Sequence, residues 1–262
     1  FKALRSAGNQ GSTMPPKKQE KSSKVVRKLT IQFEALTTGK HEKIGDIRCV
    51  LLNAQSILKD SDRREVKLAA LANLAKTHEV IIMTETWLKE EHVTYLRFRF
   101  SRETSLPYEL IGLTLIKRGM QAKLLAIYRA SPSSTNETLH SLELMDEPIM
   151  EAYKEFVRHR PELPIVWAGD FNLSGLYFDN GAAMFRPPGN RIRSEIFEPF
   201  VTSGELKHAV TRATFRNPSN PANTTHLDLV MHSKPDGVHT VEYSDNNVFS
   251  DHSVIHFTIA TQ

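Results

Sequence analysis

Four short apolar segments of this chain each lead into polar side chains of the kinds that bind metal ions and phosphate. Two segments lead into Asn53 and Glu85, and two lead into the strings Gly169-Asp170-Phe171-Asn172 and Ser250-Asp251-His252. Short apolar runs of this kind are typical of buried strands, and strand ends are where sheets present functional groups. Because the pattern occurs four times, it favours a functional site over surface decoration.

Composition limits the class of protein. A chain of 262 residues with 40% hydrophobic content can bury the core of one large domain or two small ones. The single cysteine, Cys49, cannot form an internal disulfide and lies in an apolar run, which indicates a reducing compartment. No apolar run approaches the roughly 20 residues that span a bilayer, and no signal-peptide pattern is present. We therefore expect a soluble protein in the nucleus or cytoplasm that is not secreted.

The positive charge is concentrated at the amino terminus. Residues 1–45 contain ten Lys or Arg against three Glu, a balance of +7, so residues 46–262 carry −3 of the total of +4. This stretch is also rich in Ser, Gly, Gln and Pro, which leaves little apolar surface to offset chain entropy. We expect a basic, mostly disordered arm, which is either a solvated tail or an electrostatic handle for nucleic acid or nuclear targeting.

Strands alternate with helices after residue 46. Asp62 and Glu65 form a capping-box pattern at the start of a first predicted helix, and Pro148 is predicted in the first turn of a second. The first helix has Val66, Ala69, Ala70, Asn73 and Leu74 on one face. The second has Leu142, Met145, Ile149, Tyr153 and Phe156 at helical spacing.

The remaining elements are predicted to be strands and loops. Residues 113–116 and 124–128 form a strand pair joined by a turn at 117–119, and residues 178–190 form a long loop. Three further strands are predicted at 227–231, 240–243 and 254–259.

Six motifs occur in the order used by the endonuclease/exonuclease/phosphatase superfamily. They are Asn53-Ala54-Gln55-Ser56, Thr84-Glu85-Thr86-Trp87-Leu88, Tyr128-Arg129, Gly169-Asp170-Phe171-Asn172, His226-Leu227-Asp228-Leu229 and Ser250-Asp251-His252. Within that superfamily, residues 46–262 resemble the apurinic-type endonuclease domain of non-LTR retrotransposons. The resemblance implies an α/β (α+β) fold, a four-layer sandwich of two mixed sheets flanked by helices.

The resemblance also implies a chemistry and a role for each motif residue. Glu85 would be the main ligand of Mg²⁺ or Mn²⁺, assisted by Asn53 and Asp251, which suits the preference of these ions for oxygen. Asp170 would position the attacking water, and Asn172 would hydrogen-bond to that water or to the phosphate. His252, oriented by Asp228, would bind the phosphate or stabilise the leaving oxygen, and Tyr128 would donate to phosphate.

Each residue also has an ordinary structural interpretation. An Asn after a strand is often a turn former, an Asp-His pair is often a surface contact, and Tyr128 could be an amphipathic residue at a sheet edge. His78, His140 and His208 have no motif around them, so a structural role is favoured there. The sequence has no zinc-type Cys and His cluster, no phosphate-binding Gly-rich loop and no Gly-x-Ser-x-Gly elbow.

Two departures from the resembled family matter. Gln55 stands where many relatives have a second acidic ligand, and the stretch 102–111 is too short for a hairpin that retroelement domains usually carry there. Loss of that hairpin predicts a shortened sheet with an exposed edge.

The sequence favours a DNA-nicking endonuclease that leaves a 3′-hydroxyl. It predicts a monomer that binds DNA but no membrane and belongs to a larger retroelement polyprotein with a reverse transcriptase. The alternatives are an abasic-site repair enzyme, a phosphoinositide or RNA phosphodiesterase on the same fold, and an inactive copy that only binds nucleic acid.

Overall fold

The structure is a computed structural model that describes most of the chain. The described residues are 27–33, 46–55, 61–85, 108–131, 139–187, 194–220, 222–245 and 247–261, with no side chains described at 27–33, 61–62 and 139–144. The strands are β1 Arg27–Phe33, β2 Ile47–Asn53, β3 Val80–Thr84, β4 Tyr108–Lys117, β5 Met120–Arg129, β6 Ile165–Asp170, β7 Leu176–Asp179, β8 Ala182–Phe185, β9 Lys207–His208, β10 Phe215–Arg216, β11 Thr224–Thr225, β12 Asp228–His232, β13 Val238–Ser244 and β14 Val254–Ile259. The helices are α1 Ser61–Thr77, α2 Leu139–Arg158 and α3 Phe197–Thr202.

Two mixed sheets form the centre of the fold. The larger has the order β1-β4-β5-β6-β12-β9, and the smaller has the order β13-β14-β2-β3. The inner faces of the sheets share one apolar cluster, in which Leu124 and Val166 of the larger sheet and Leu51 and Phe257 of the smaller are buried. Alternating side chains on each strand make this possible, since one face of the strand can line the core while the other packs on a helix.

Helices cover the outer faces. Helix α2 packs on the larger sheet, where Ile149 and Tyr153 join Trp167 in a second cluster. Helix α1 packs on the smaller sheet, where Leu71 joins Val50 in a third. The order helix, sheet, sheet, helix confirms the predicted four-layer α/β sandwich. Among the described residues, no helix has both the length and the apolar content needed to cross a membrane.

Both predicted helices are present, but two details were wrong. In α1 the predicted face includes Val66, which is 51% exposed, whereas Leu71 is buried at 6%. Helix α1 therefore packs through Leu71 together with Ala70 and Leu74 of the predicted face, and it also buries Lys67. In α2 the residue Pro148 lies well inside the helix rather than in its first turn.

The predicted strands at 227–231, 240–243 and 254–259 correspond to β12, β13 and β14, with ends that differ by a few residues. The strand pair predicted at 113–116 and 124–128 is longer and forms β4 and β5. The segment 178–190 was predicted as a loop, but residues 176–185 form the hairpin of β7 and β8. Turn residues Asn180 and Gly181, both at positive φ, reverse the chain between these two strands.

The predicted disordered arm, residues 1–45, contains one strand, β1. Strand β1 runs parallel to β4, with Arg27 opposite Ile111 and Phe33 opposite Lys117. The edge of β4 that a missing hairpin would expose is therefore paired, and β1 becomes the edge of the sheet. The rest of the arm and the shortened segment as far as residue 107 lie outside the described residues.

We predict that β1 contributes to stability through this pairing. Deletion of residues 1–33 should expose the backbone groups of β4 and lower the free energy of unfolding by about 2 kcal/mol, or roughly 4–8 °C in Tm. Deletion of residues 1–26 is the matched control, since it removes basic residues and leaves β1. Thermal unfolding followed by circular dichroism measures both, and equal Tm values for the two deletions would contradict the prediction.

Candidate catalytic site

The register of the larger sheet places three of the predicted site residues in one row. Asp170 ends β6, and its paired neighbours are Tyr128 on β5 and Asp228 on β12. In the smaller sheet, Asn53 at the end of β2 pairs with Thr84, which directly precedes Glu85. The Nδ2 atom of Asn53 donates to Oδ2 of Asp170 at 3.3 Å and joins the two rows. We call the strand ends with these residues the polar edge.

The backbone at the polar edge is unusual. Gln55, Glu85 and Asn172 have φ values of 36°, 51° and 48°, a left-handed conformation that costs energy for residues with side chains. Each lies just after a strand end, so the chain turns sharply there and presents its side chain at the edge. Asp170 accepts the backbone N–H of Asn172 at 3.0 Å, which fixes the third of these turns.

Gly169 is needed for close backbone packing. Its φ is +153°, and a Cβ atom added there would lie 1.9 Å from the carbonyl oxygen of Ile127. A side chain at this position would push β6 away from β5 and would separate Asp170 from Tyr128. This contact explains the glycine of the Gly-Asp-Phe-Asn motif in physical terms.

Asp228 and His252 form a buried ion pair. Nδ1 of His252 lies 2.7 Å from Oδ2 of Asp228, and both side chains are almost fully buried. Burial alone would lower the pKa of His252, but the carboxylates of Asp228, Asp170 and Asp251 outweigh it and raise the pKa to about 9. The imidazole is therefore protonated at neutral pH.

Burial acts in the opposite direction on the pKa of Asp170, which is a carboxyl group at 0% exposure. Burial raises its pKa well above the usual range, and the negative charge of Asp228 raises it further. His252 opposes this shift through its positive charge. One acid, Asp170, and one base, His252, thus have pKa values raised by the same enclosed environment, and shifted pKa values are common at catalytic sites.

Tyr128 and Glu85 form a second contact of the site. The Tyr128 hydroxyl donates to Oε1 of Glu85 at 3.2 Å, which joins the two sheets at another point. Burial and the charge of Glu85 both raise the pKa of Tyr128, so its phenol remains a hydrogen-bond donor at neutral pH.

The donor atoms of the site fit a hard divalent cation. Ligand atoms of Asp170, Asp228 and His252 lie within 4.8 Å of one another, and the two carboxyl groups of this set are the donors for a cation while His252 is protonated. Oδ1 of Asp228 is buried and has no hydrogen-bond partner, and an unpartnered buried oxygen is costly. A cation would satisfy this oxygen and offset the repulsion between the carboxylates, and oxygen-rich sites suit Mg²⁺ or Mn²⁺.

The residues predicted as metal ligands lie close by but are not in one cluster. Oδ1 of Asn53 accepts the backbone N–H of Gln55 at 3.0 Å, so part of its oxygen is already used. Asp251 lies at the rim and accepts from Nε2 of Gln55 at 2.6 Å. Gln55, the departure noted in the sequence, thus holds Asp251 next to the first motif. The assignment of Glu85, Asn53 and Asp251 as ligands stays a prediction.

Thr214 positions the ion pair and was not singled out from the sequence. Its Oγ1 accepts the backbone N–H groups of Leu227 and Asp228, and its carbonyl oxygen accepts the N–H of Ser253. The ring of Phe215 packs edge-on against His252 at 5.2 Å. No local motif marks this segment, because its contacts are made with residues distant in sequence.

Arg129 and Asp146 form a second buried ion pair behind the site. Both side chains are 1% exposed, and Nε of Arg129 lies 2.7 Å from Oδ1 of Asp146. Arg129 also donates to the carbonyl oxygen of Phe171, and its own carbonyl oxygen accepts Nδ2 of Asn172 at 2.7 Å. Ser194 donates to the same aspartate at 2.6 Å. The pair therefore holds the turn that carries Asp170 and Asn172 against α2.

The histidines without motifs have structural contacts where they are described. Nε2 of His208 lies 2.9 Å from the carbonyl oxygen of Val201, and His78 contacts His256. The side chain of His140 lies outside the described residues.

The fold and the site together define a class: a four-layer α/β protein with carboxylates and a charged histidine at the shared edge of two sheets. The model of the Endonuclease/Exonuclease/phosphatase family matches residues 50–252, well over half of the chain. The chain therefore belongs to this family and has its phosphodiesterase fold. A comparison with curated proteins finds no significant sequence match.

Solved structures with a similar fold include three nucleic-acid enzymes. The endonuclease domain of TRAS1, a telomere-specific non-LTR retrotransposon, is 14% identical over 83% of this chain and 99% of its own, with a TM-score of 0.53. A humanized D. rerio TDP2 is 13% identical over 82% and 99%, with a TM-score of 0.54. The AP endonuclease LMAP from Leishmania major is 12% identical over 87% and 92%, with a TM-score of 0.52. At these identities, the likeness shows the fold alone.

We predict that the ion pair behind the site is essential for stability. Arg129→Met should leave Asp146 charged and buried, and should lower the free energy of unfolding by about 3–5 kcal/mol. The double variant Arg129→Met/Asp146→Leu should recover most of that loss, because it removes both charges. Urea denaturation measures these differences, and a single variant as stable as the native protein would refute the prediction.

We also predict that stability falls at alkaline pH. The pKa of His252 is raised from its ordinary 6.5 to about 9, so its contribution is complete below pH 6.5 and is lost as the pH rises through 9. The expected loss is on the order of 3 kcal/mol. Urea denaturation in EDTA at pH 6 and pH 10 measures it, with His252→Gln as the control that lacks the slope. A native protein that gains stability over this range would disprove the assignment.

Proposed function

We propose that the chain is a divalent-metal-dependent phosphodiesterase that nicks DNA, of the type found in non-LTR retrotransposons. The observation that carries the proposal is the row of Tyr128, Asp170 and Asp228, with His252 bonded to Asp228 at 2.7 Å. Phosphodiester cleavage needs a group that takes a proton from water and donors for the developing negative charge. The row combines these groups within one enclosed edge.

Asp170 has the properties of a general base. Its raised pKa gives its carboxylate a greater affinity for a proton than an ordinary exposed Asp has. Asp170 takes a proton from the attacking water, whose oxygen forms the new bond to phosphorus. The bond from phosphorus to the leaving 3′-oxygen breaks, and that oxygen takes up a proton from the imidazolium of His252 or from water. The products are a 3′-hydroxyl and a 5′-phosphate.

His252 has the properties of a charged donor. Its Nδ1 is occupied by Asp228, so Nε2 is the nitrogen that reaches the phosphate or the leaving oxygen as an imidazolium. Tyr128 donates its phenol to a phosphate oxygen. Asn172 uses one amide hydrogen for the carbonyl oxygen of Arg129, which leaves its second hydrogen for the water or the phosphate.

Glu85 is the proposed main metal ligand, with Asn53 and Asp251 assisting and the buried Oδ1 of Asp228 as a further donor. When bound, Mg²⁺ or Mn²⁺ supplies positive charge to the phosphate oxygens. The proposed partner is DNA, and a D. rerio TDP2 structure with a TM-score of 0.52 holds a single-strand DNA product. We also propose that the chain is monomeric and that it is part of a larger retroelement polyprotein with a reverse transcriptase.

Alternatives on the same fold are abasic-site repair and cleavage of RNA or phosphoinositides. The set of Glu85, Asp170, Asp228 and His252 is complete, which argues against an inactive copy that only binds nucleic acid. The strings Thr-Glu-Thr-Trp-Leu and Asn-Ala-Gln-Ser favour the retroelement type over repair.

We predict that Glu85→Gln, Asp170→Asn and His252→Gln each lower nicking of supercoiled plasmid by about 10²–10⁴-fold. Pairs of these changes should add little, because the residues act as one unit. Glu162→Gln is the matched control, an exposed carboxyl group away from the polar edge. Activity should require Mg²⁺ or Mn²⁺ and stop with EDTA, whereas native rates in folded Glu85→Gln would overturn the metal assignment.

Substrate preference is measured in the same series. An oligonucleotide with an abasic site, an undamaged duplex and an RNA strand are offered separately. Faster cleavage of the undamaged or supercoiled DNA supports the retroelement type, whereas strong preference for the abasic site favours repair.

A further inference from the structure

A large cavity lies beside the polar edge, and apart from Asp251 its wall has no part in the chemistry described above. It has a volume of about 600 Å³ and opens between the start of α1 and the loop 247–251. Its inner wall includes Gln55 and Asp251, the pair that borders the polar edge. A volume of this size is within the range of pockets that hold a small organic ligand.

The cavity adjoins a second cavity that reaches His252. A smaller cavity of about 190 Å³ reaches His252, and the two share Pro218, Ser250 and Asp251 in their walls. A chain-like ligand with its phosphate at His252 can therefore extend across Asp251 into the larger cavity. A compact ligand that reached only His252 would leave the larger cavity unused.

The wall of the larger cavity is mostly polar but includes two exposed valines. Val66, Val248 and Met184 are the exposed large hydrophobic side chains in the described part of the chain, at 51%, 41% and 42%. The two valines both line this cavity, one from α1 and one from the loop 247–251. Single exposed apolar residues are ordinary, but two in the wall of one cavity give a ligand a pair of apolar contacts there.

The charge of the cavity selects the class of ligand. Arg63 and Lys67 lie in its wall on the same helix as Val66, and Asp251 is the one carboxyl group in the described part of that wall, so the positive charge prevails. A guanidinium beside apolar surface suits a ligand that has both a flat apolar part and a phosphate. A nucleotide unit has this combination, with a base that contacts apolar walls and a phosphate that binds Arg63.

We infer that the cavity is a subsite for a nucleotide that flanks the scissile phosphate of the substrate strand. Its base contacts Val66 and Val248, and its outer phosphate binds Arg63, while the scissile phosphate lies at His252. This inference rests on the proposed phosphodiesterase function and adds to it a site that selects the strand flanking the cut.

The test compares Val66→Ser/Val248→Ser with Met184→Ser, which alters a similarly exposed hydrophobic residue outside the cavity wall. Binding of a short single-stranded oligonucleotide is measured by anisotropy in EDTA, which prevents cleavage. The double variant should raise Kd about tenfold, as expected from lost contact with two half-exposed valines. Met184→Ser should bind as the native protein does, and all variants should keep the native Tm.

A second variant tests the charge. Arg63→Gln should weaken binding and reduce the slope of log Kd against log salt by about one phosphate contact. A 2-aminopurine placed at successive positions near the cut should show a fluorescence change at one position only. That change should be lost in Val66→Ser/Val248→Ser.

Hydrolysis of bis(p-nitrophenyl) phosphate with Mn²⁺ separates the two proposals, because this substrate is too small to fill both cavities. Normal hydrolysis with no oligonucleotide binding, or with equal Kd values for the valine and methionine variants, overturns the subsite and leaves the phosphodiesterase. Valine-dependent binding without hydrolysis supports the subsite and overturns the enzyme. A changed sedimentation coefficient with unchanged Kd would assign the cavity to contact between copies and overturn the subsite.

Discussion

The burial of Asp170 between Tyr128 and Asp228 is the constraint on which the rest of the site depends. A carboxyl group at 0% exposure is stable only if its surroundings supply hydrogen bonds and opposite charge. Asn53, the backbone of Asn172 and the charge of His252 supply them from three separate parts of the chain. The two sheets must therefore be packed in one register before this carboxyl group can be accommodated.

The two buried ion pairs stabilise the site from different positions. Asp228 and His252 carry charge at the polar edge, where it can act on a substrate. Arg129 and Asp146 lie behind it and contact the turn through backbone atoms. Removal of one partner leaves an uncompensated charge in either pair, so both pairs restrict the geometry tightly. Rigid support behind a reactive edge is what accurate positioning of a phosphate and a water requires.

Much of the site could be predicted from the sequence because its residues follow strands. The apolar runs before Asn53, Glu85 and Asp170 marked strand ends, and strand ends meet at sheet edges. The contact of Arg129 with Asp146 and the contacts of Thr214 with the segment 227–228 could not be predicted, since each depends on how segments distant in sequence pack together. Val66 was predicted to face the core, but its side chain is half exposed and lies in the wall of the cavity next to the loop 247–251. Helical periodicity alone does not show where that loop packs.

The sequence by itself determined the alternation of strands and helices, the four-layer class and the polar residues at the strand ends. These follow from local hydrophobic periodicity and from the family motifs. Only the tertiary structure decided which carboxyl groups share one enclosed space, that β1 pairs with β4, and that Val66 and Val248 line one cavity. The physical reason is that pKa shifts, sheet edges and cavities depend on distances between segments, and local sequence patterns do not specify those distances.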